Sequence, residues 1–517
     1  MSKSLADNKH KAVNPASAPL TPQQCAGRLI MIRLQGTSLD IASADFLRTK
    51  HIRAVCLFRQ NMVNEQQLRQ FTSDLRAVMG PDALIALDQE GGAVVRSAWL
   101  PEPPSAMALG ASADTQLCFN VGAAVARGVK SLGFNWNFAP VLDVNNNPDN
   151  PVIAERSFGS DPDMVSKLAL SWMAGSLSEG VACCVKHFPG HGDTNVDSHR
   201  ALPTVSKSRA GLDALELAPF RTAANHPDTP AMMTAHIIYP ALDAGNPATL
   251  SHPILTGLLR EEWGYQGVII TDSMDMHAIA RHYGVANAAV MALSAGADMV
   301  MALGDHAAQL ATLSGLSDAI SSGQITDVQV TARLTRLDKL AQRYPCSDSV
   351  YSAATEANDR QLMALAWQRG LTPFRQPAAP AANSKVRLVM RQDTVSDGVS
   401  EAGISAGEVL ALLQSLYETE LVTYADAEQF DWASLPKDGR TVILASNSRR
   451  RYGSRAKTTW HPDLHLALWS PFQALDIAAP TLISYGFAPP AMAGVADWLA
   501  GKLILQGQIP VAGFHKH

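Results

Sequence analysis

Cysteine is scarce: six residues in 517, too few for a disulfide framework at this length. None are spaced C-x-x-C, so a thiolate-held zinc is not expected. Cys183 and Cys184 are adjacent and follow Val181 and Ala182, which reads as small apolar core. No run of about 18 apolar residues occurs, so no membrane-spanning helix is expected. The first twenty residues, MSKSLADNKHKAVNPASAPL, lack the apolar stretch of a secretory signal. They read as part of a flexible arm (1–24) on a cytoplasmic protein. A strong excess of one charge is also missing. Formal net charge is −5, and nothing in it points to nucleic acid. Solenoid repeats and low-complexity tracts are absent as well.

Apolar material is plentiful, at 47% hydrophobic against 17% charged residues, and the length suits two or three domains. Eight short apolar runs alternate with helix-like segments: LIMIRLQG (29–36), AVCLFRQN (54–61), ALIALDQEGG (83–92), FNWNFAPVLDV (134–144), ACCVKHFPGHG (182–192), AMMTAHIIYP (231–240), GVIITDSMD (267–275) and ADMVMALGD (297–305). Continuous apolar runs suit strands buried on both faces of a parallel sheet. A doubly wound sheet gives the same alternation, and the count of eight favours a (β/α)₈ TIM barrel over residues 25–350. Residues 351–384 read as a connecting helix (TEANDRQLMALAWQRG) followed by a linker, QPAAPAANSK. Residues 385–517 read as a smaller α/β domain with a mostly parallel sheet, from KVRLVM, LVTYAD, TVILASNS and PTLISYG.

Most of the eight runs end in polar groups: Asp88, Glu90, Asp143, Lys186, His187, His236, Asp272 and Asp305. In a barrel these ends share the rim where active sites form, although a strand-end carboxylate can equally cap the next helix. The densest polar segment is KHFPGHGDTNVDSHRALP (186–203). Its histidines could ligate a metal, but Lys186 and Arg200 oppose a cation and no H-x-x-x-H spacing is present, so no metal or cofactor is expected. A better reading pairs Asp197 with His199. A carboxylate on one imidazole nitrogen leaves the other free to move a proton, and an imidazole titrates near pH ~6.5. Its glycines and small polar residues suggest that Gly190–Ala201 closes as a lid over substrate. Asp272 follows its apolar run directly and is placed to attack an anomeric carbon. Asp275 looks like part of the next helix.

Together, LDQEGG (87–92) with Arg96, NFAPVLDV (137–144), ERSFGSD (155–161), KHFPGHG (186–192) with DSH (197–199), MTAHI (233–237) and VIITDSM (268–274) resemble the glycoside hydrolase family 3 N-terminal domain. The resemblance covers about residues 25–345 and is closest to the β-N-acetylglucosaminidase branch, which the Asp-Ser-His triplet marks. It implies a retaining exo-acting β-N-acetylglucosaminidase on terminal N-acetylglucosamine of muropeptides or chitooligosaccharides. It implies Asp272 as nucleophile and His199, held by Asp197, as acid/base. Asp88, Arg96, Arg156, Lys186 and His187 would line the sugar pocket. Arg156 could instead form a structural ion pair with Glu155 or Asp161. The C-terminal part resembles a shortened family 3 C-terminal domain, and no residue beyond 385 is expected to do chemistry. Two other readings are a phosphorylase using the same residues and a sugar-binding sensor without catalysis. A homodimer is compatible with the sequence, whereas membrane and nucleic-acid partners are not expected. Finally, Arg449, Arg450, Arg451, Arg455 and Lys457 form a basic loop that could grip an anionic aglycone, the plainer reading being a solvated loop.

Overall fold

The computed structural model describes residues 19–194, 202–394, 400 and 403–514. Each of the eight apolar runs contributes one strand: β1 (Ile30–Arg33), β2 (Ala54–Cys56), β3 (Leu84–Leu87), β4 (Trp136–Asn137), β5 (Ala182–Phe188), β6 (Ala231–Thr234), β7 (Val268–Ser273) and β8 (Met299–Ala302). They close into a parallel barrel in sequence order, with Ile30 beside Val300 where β1 meets β8. Burial of β1, β2, β3, β6 and β8 is nearly complete on both faces, which is why their sequences run apolar without alternating.

The surrounding helices obey simple end rules. In Glu65–Met79, Asn64 caps the first turn by accepting from the Gln67 amide, and Gly80 closes the last turn at φ 85°. Leu68, Phe71, Leu75 and Met79 form its buried stripe. The first helix begins at Pro22, within the expected arm, behind a capping box of Thr21 and Gln24. Among the described residues, no helix is long and apolar enough to cross a membrane.

The second sheet contains β9 (Thr372–Phe374), β10 (Lys385–Arg391), β11 (Glu418–Tyr424), β12 (Thr441–Ser446), β13 (Leu464–Ala467) and β14 (Thr481–Ile483). Their spatial order is β9-β14-β13-β12-β10-β11, parallel except for β9 against β14. Two strands differ from the sequence reading. β9 lies inside the segment read as a connector, and its Pro373 faces outward on an edge strand, where no ladder donor is needed. β13 holds the buried His465, which interrupts its apolar run.

The helix Ala353–Gly370 joins the two units. Asp359 on it takes a two-pronged contact from the barrel's Arg127, at 3.0 and 2.6 Å. Further along, Trp367 lies in an apolar cluster with Met107 and Ala108 of the barrel, Ile483 of β14 and Tyr485 just beyond it.

Candidate active site

The pocket lies where the strand ends β3, β5 and β7 converge. It is a cavity of about 120 Å³ lined by charged groups from LDQEGG, Arg156 and β5, by Asp272, and by apolar Phe58, Met233, Met301 and Leu303. Directly after β3 the chain folds back as a hairpin, Gln89–Gly91 against Val94–Val95. Gln89 holds it from inside: its side-chain oxygen accepts from the amides of Arg96 (2.9 Å) and Ser97 (3.2 Å). Gly91 and Gly92 turn it at φ 114° and 59°. A Cβ on Gly91 would stand 2.2 Å from the Pro104 carbonyl oxygen, so the glycines are sterically required. This hairpin brings Asp88, Glu90 and Arg96 to one wall.

Lys186, near the end of β5, is 2% exposed and bridges two carboxylates, Asp88 at 2.8 Å and Glu90 at 2.6 Å. Arg156 engages Glu90 with both prongs, Nε at 2.9 Å and Nη2 at 2.8 Å. Arg96 stands 3.6 Å from Asp88 and beside the Phe58 ring. Burial alone would raise the Glu90 carboxyl, but Arg156 and Lys186 hold it well below the usual range. Burial likewise works against the Lys186 cation, and Asp88 and Glu90 raise it again. All five residues assigned to the sugar pocket, namely Asp88, Arg96, Arg156, Lys186 and His187, line this one cavity.

His187 is fixed by Asp143. One carboxylate oxygen lies 2.7 Å from His187 Nδ1, and the other accepts from the His187 and His191 amides at 3.2 and 2.6 Å. With Nδ1–H donated to Asp143, Nε2 can accept from Arg156 Nη2 at 3.4 Å. Asp143 is fully buried, and although burial opposes it, His187 and His191 keep its carboxyl low.

Asp272 lies near the end of β7 and lines the cavity. Its Oδ1 accepts from the Ser273 amide at 2.7 Å. His236, at the end of β6, reaches across to the Ser273 carbonyl at 2.9 Å and to Thr249 Oγ1 at 2.9 Å, fixing the backbone beside Asp272. Asp275 is turned to the Ser273 hydroxyl and is not a lining residue. Asp305 is a plain helix cap, accepting from Ala308 N at 2.8 Å.

Several expectations change. Arg156 pairs with Glu90 and not with Glu155 or Asp161. Glu155 is held by Arg449, and Asp161 caps the helix Pro162–Ser178. Glu90 is a structural partner in the pocket that the sequence reading left without a role. The available signal was its spacing, since residues two apart on an extended segment face the same side, as Asp88 and Glu90 do toward Lys186. Phe58 was missed because an aromatic at the end of an apolar run reads as core. Two of the five cations of the basic loop are already paired: Arg449 is committed to Glu155, and Arg451 to Asp476 and Asp149.

The lid expectation is also narrowed. Gly190–Thr194 is tied down, with Tyr239 donating to the Gly190 carbonyl, Asn150 donating to the His191 carbonyl at 2.9 Å, and His191 Nδ1 2.7 Å from Thr194 Oγ1. The rest of that segment, with Asp197 and His199, lies outside the described residues. Burial pushes the His191 imidazole down to about 4, against the pull of Asp143. Its ordinary value is 6.5, so on acidification the unfolded chain takes the proton first. Stability from this group is complete above that value and lost as pH falls toward 4. Urea unfolding at pH 7 and pH 5 should therefore differ by about 2 kcal/mol less in His191→Gln than in the wild type. An unchanged difference would show that His191 does not titrate in this way.

A closed eight-stranded parallel barrel with a carboxylate-bearing polar pocket on its C-terminal rim defines the class of (β/α)₈-barrel enzymes. The family model described as the glycosyl hydrolase family 3 N terminal domain matches residues 25–340, and the chain belongs to that family. β-Hexosaminidase A of Pseudoalteromonas piscicida is 33% identical, the match covering 66% of this chain and 64% of that relative's length. A β-hexosaminidase of Alkalilimnicola ehrlichii is 37% identical over 56% of this chain and 84% of its own. The solved glycoside hydrolase family 3 β-N-acetylglucosaminidase from Paenibacillus sp. superposes with a TM-score of 0.85 at 31% identity, covering 95% of this chain and 99% of that one.

Proposed function

We propose that this protein is a retaining, exo-acting β-N-acetylglucosaminidase that hydrolyses terminal β-linked N-acetylglucosamine in two displacement steps. The observation that carries the proposal is Asp272 at the end of β7, opening onto a cavity walled by Asp88, Arg96, Arg156 and Lys186. Charged forks of this kind suit a ring of hydroxyls, each of which both donates and accepts. The names of the Pseudoalteromonas, Alkalilimnicola and Paenibacillus relatives support the hexosaminide class.

In the first step an Asp272 oxygen attacks the anomeric carbon as the glycosidic C–O bond breaks, and His199 gives its proton to the leaving oxygen. In the second, His199 takes a proton from water, the water oxygen attacks the same carbon, and the glycosyl–Asp272 bond breaks. Asp197 orients His199. Two inversions return the β configuration. Substrates are short chitooligosaccharides or cell-wall muropeptides.

The test uses a chromogenic β-N-acetylglucosaminide beside the matching β-glucoside, with turnover expected on the former only. Preference for the glucoside would overturn the substrate class. Adding inorganic phosphate should leave free N-acetylglucosamine as the product, whereas a sugar 1-phosphate would mean phosphorolysis. His199→Ala should slow a natural disaccharide about tenfold or more beyond its effect on an aryl glycoside with an acidic leaving group, which needs little protonation. Equal losses on both would argue that His199 binds substrate and moves no proton.

A further inference from the structure

The proposed chemistry lies entirely in the barrel, yet the turn that delivers Arg156 to the pocket is braced by the second unit. Ala154–Arg156 is a single 3₁₀ turn, and Ala154 holds φ 38°, a conformation that alanine rarely adopts unless its surroundings impose it. Adjacent residues of the turn point opposite ways: Arg156 lines the pocket and Glu155 faces the second unit. There the Glu155 carboxylate, 1% exposed, accepts from Arg449 Nε at 3.0 Å to each oxygen and from Trp469 Nε1 at 2.8 Å. The Arg449 guanidinium lies 5.3 Å from the Trp469 ring centre, so the tryptophan holds both partners of the pair. The same loop is tied twice more. Arg451 reaches Asp149 at 2.7 Å, and the Ser160 amide donates to the Pro510 carbonyl at 3.0 Å.

We propose that Arg449 is a positioning residue for the sugar pocket: by fixing Glu155 it sets the turn from which Arg156 reaches Glu90, and through Glu90 the place of Lys186. The second unit thereby contributes to substrate affinity without touching substrate. A buried carboxylate deprived of its cation must find water or another partner, and its search displaces the turn that carries it. The kinetic consequence falls on binding, because Asp272 stands on a different strand.

This inference rests on the glycosidase reading for its kinetic test but not for its structural one. With the aryl N-acetyl-β-glucosaminide, Arg449→Ala should raise KM about tenfold while kcat stays within about threefold. Arg449→Lys, which keeps the charge and loses the fork, should show a smaller rise of the same kind and covers the case in which the alanine variant fails to fold. In an Arg156→Ala background, Arg449→Ala should raise KM no further, since its effect passes through Arg156. A merely structural role would lower the thermal midpoint in both backgrounds with KM unchanged. That result, or KM effects that multiply, overturns the proposal. If the wild type cleaves no hexosaminide, the functional reading fails, and the crystal structure of the Arg449→Lys variant decides the inference alone. A displaced Arg156 supports it, and an Arg156–Glu90 pair still at 2.8 and 2.9 Å overturns it.

Discussion

If Asp272 is the nucleophile proposed above, Asp272→Ala is expected to leave a folded protein whose turnover is lower by about four orders of magnitude, because the other carboxylates that line the cavity among the described residues, Asp88 and Glu90, are held by Lys186 and Arg156. The fold should tolerate the change. Asp272 is only partly buried, and Thr271 before it keeps the link to β8 through the Met301 amide. A fluorinated glycosyl inactivator, whose covalent intermediate breaks down slowly, should label the wild type on the peptide containing Asp272. Asp275 is near enough in sequence to confuse a coarse assignment, but it faces the Ser273 hydroxyl. Fragmentation that places the label on Asp275, or near-normal turnover in the alanine variant, would remove Asp272 from the mechanism.

Lys186→Met should show the second largest effect, and on two readouts together. The ammonium is 2% exposed between Asp88 and Glu90, so its removal leaves two carboxylates, of which Glu90 is the more buried, short of one cation. Breaking a buried pair from one side costs about 3–5 kcal/mol, and the unfolding free energy at neutral pH should fall by that order. KM should rise as well, because Asp88 loses the partner that fixes its rotamer. The acid limb separates this from simple loss of packing. A carboxyl with a depressed folded value gives stability that is present above its ordinary range and lost as pH falls through the folded one. With Lys186 gone, Arg156 alone holds Glu90 down, so that loss should be smaller, and complete at higher pH, than in the wild type. An unfolding free energy whose dependence on pH below the ordinary carboxylate range matches the wild type would mean that Lys186 has little influence on Glu90.

The barrel was legible because burial on both faces of a parallel strand leaves unbroken apolar runs, and all eight became strands. Part of the pocket wall was legible, since Asp88, Lys186, His187 and Asp272, polar groups at the ends of such runs, meet on one rim, whereas Arg96 and Arg156 came from the family resemblance. Partnerships were not. Glu90 and Arg156 are 66 residues apart, and Arg449 and Glu155 are 294 apart, and no local pattern encodes either pairing. That distance is also why Arg449 and Arg451 read as unpaired charge: their carboxylates, Glu155, Asp149 and Asp476, lie on other elements. Short strands failed for a different reason. β9 carries a proline and β13 a histidine, and each is acceptable only because of an edge position or a buried hydrogen bond, such as that between Ser446 Oγ and His465 Nε2 at 2.6 Å. The acid/base assignment to Asp197 and His199 rests on the sequence, as they lie outside the described residues.

The apolar cluster around Trp367 belongs to neither unit alone, since its members come from a barrel helix, the joining helix and the sheet, helix and loops of the second unit. Separating the units would expose Met107, Trp367 and Tyr485 to water together, so neither can melt without stripping cover from the other. Unfolding of the two units is therefore expected to be coupled, with one shared transition. Lifted out by itself, the barrel would carry an uncovered, sticky face on the side that the second unit protects in the whole chain.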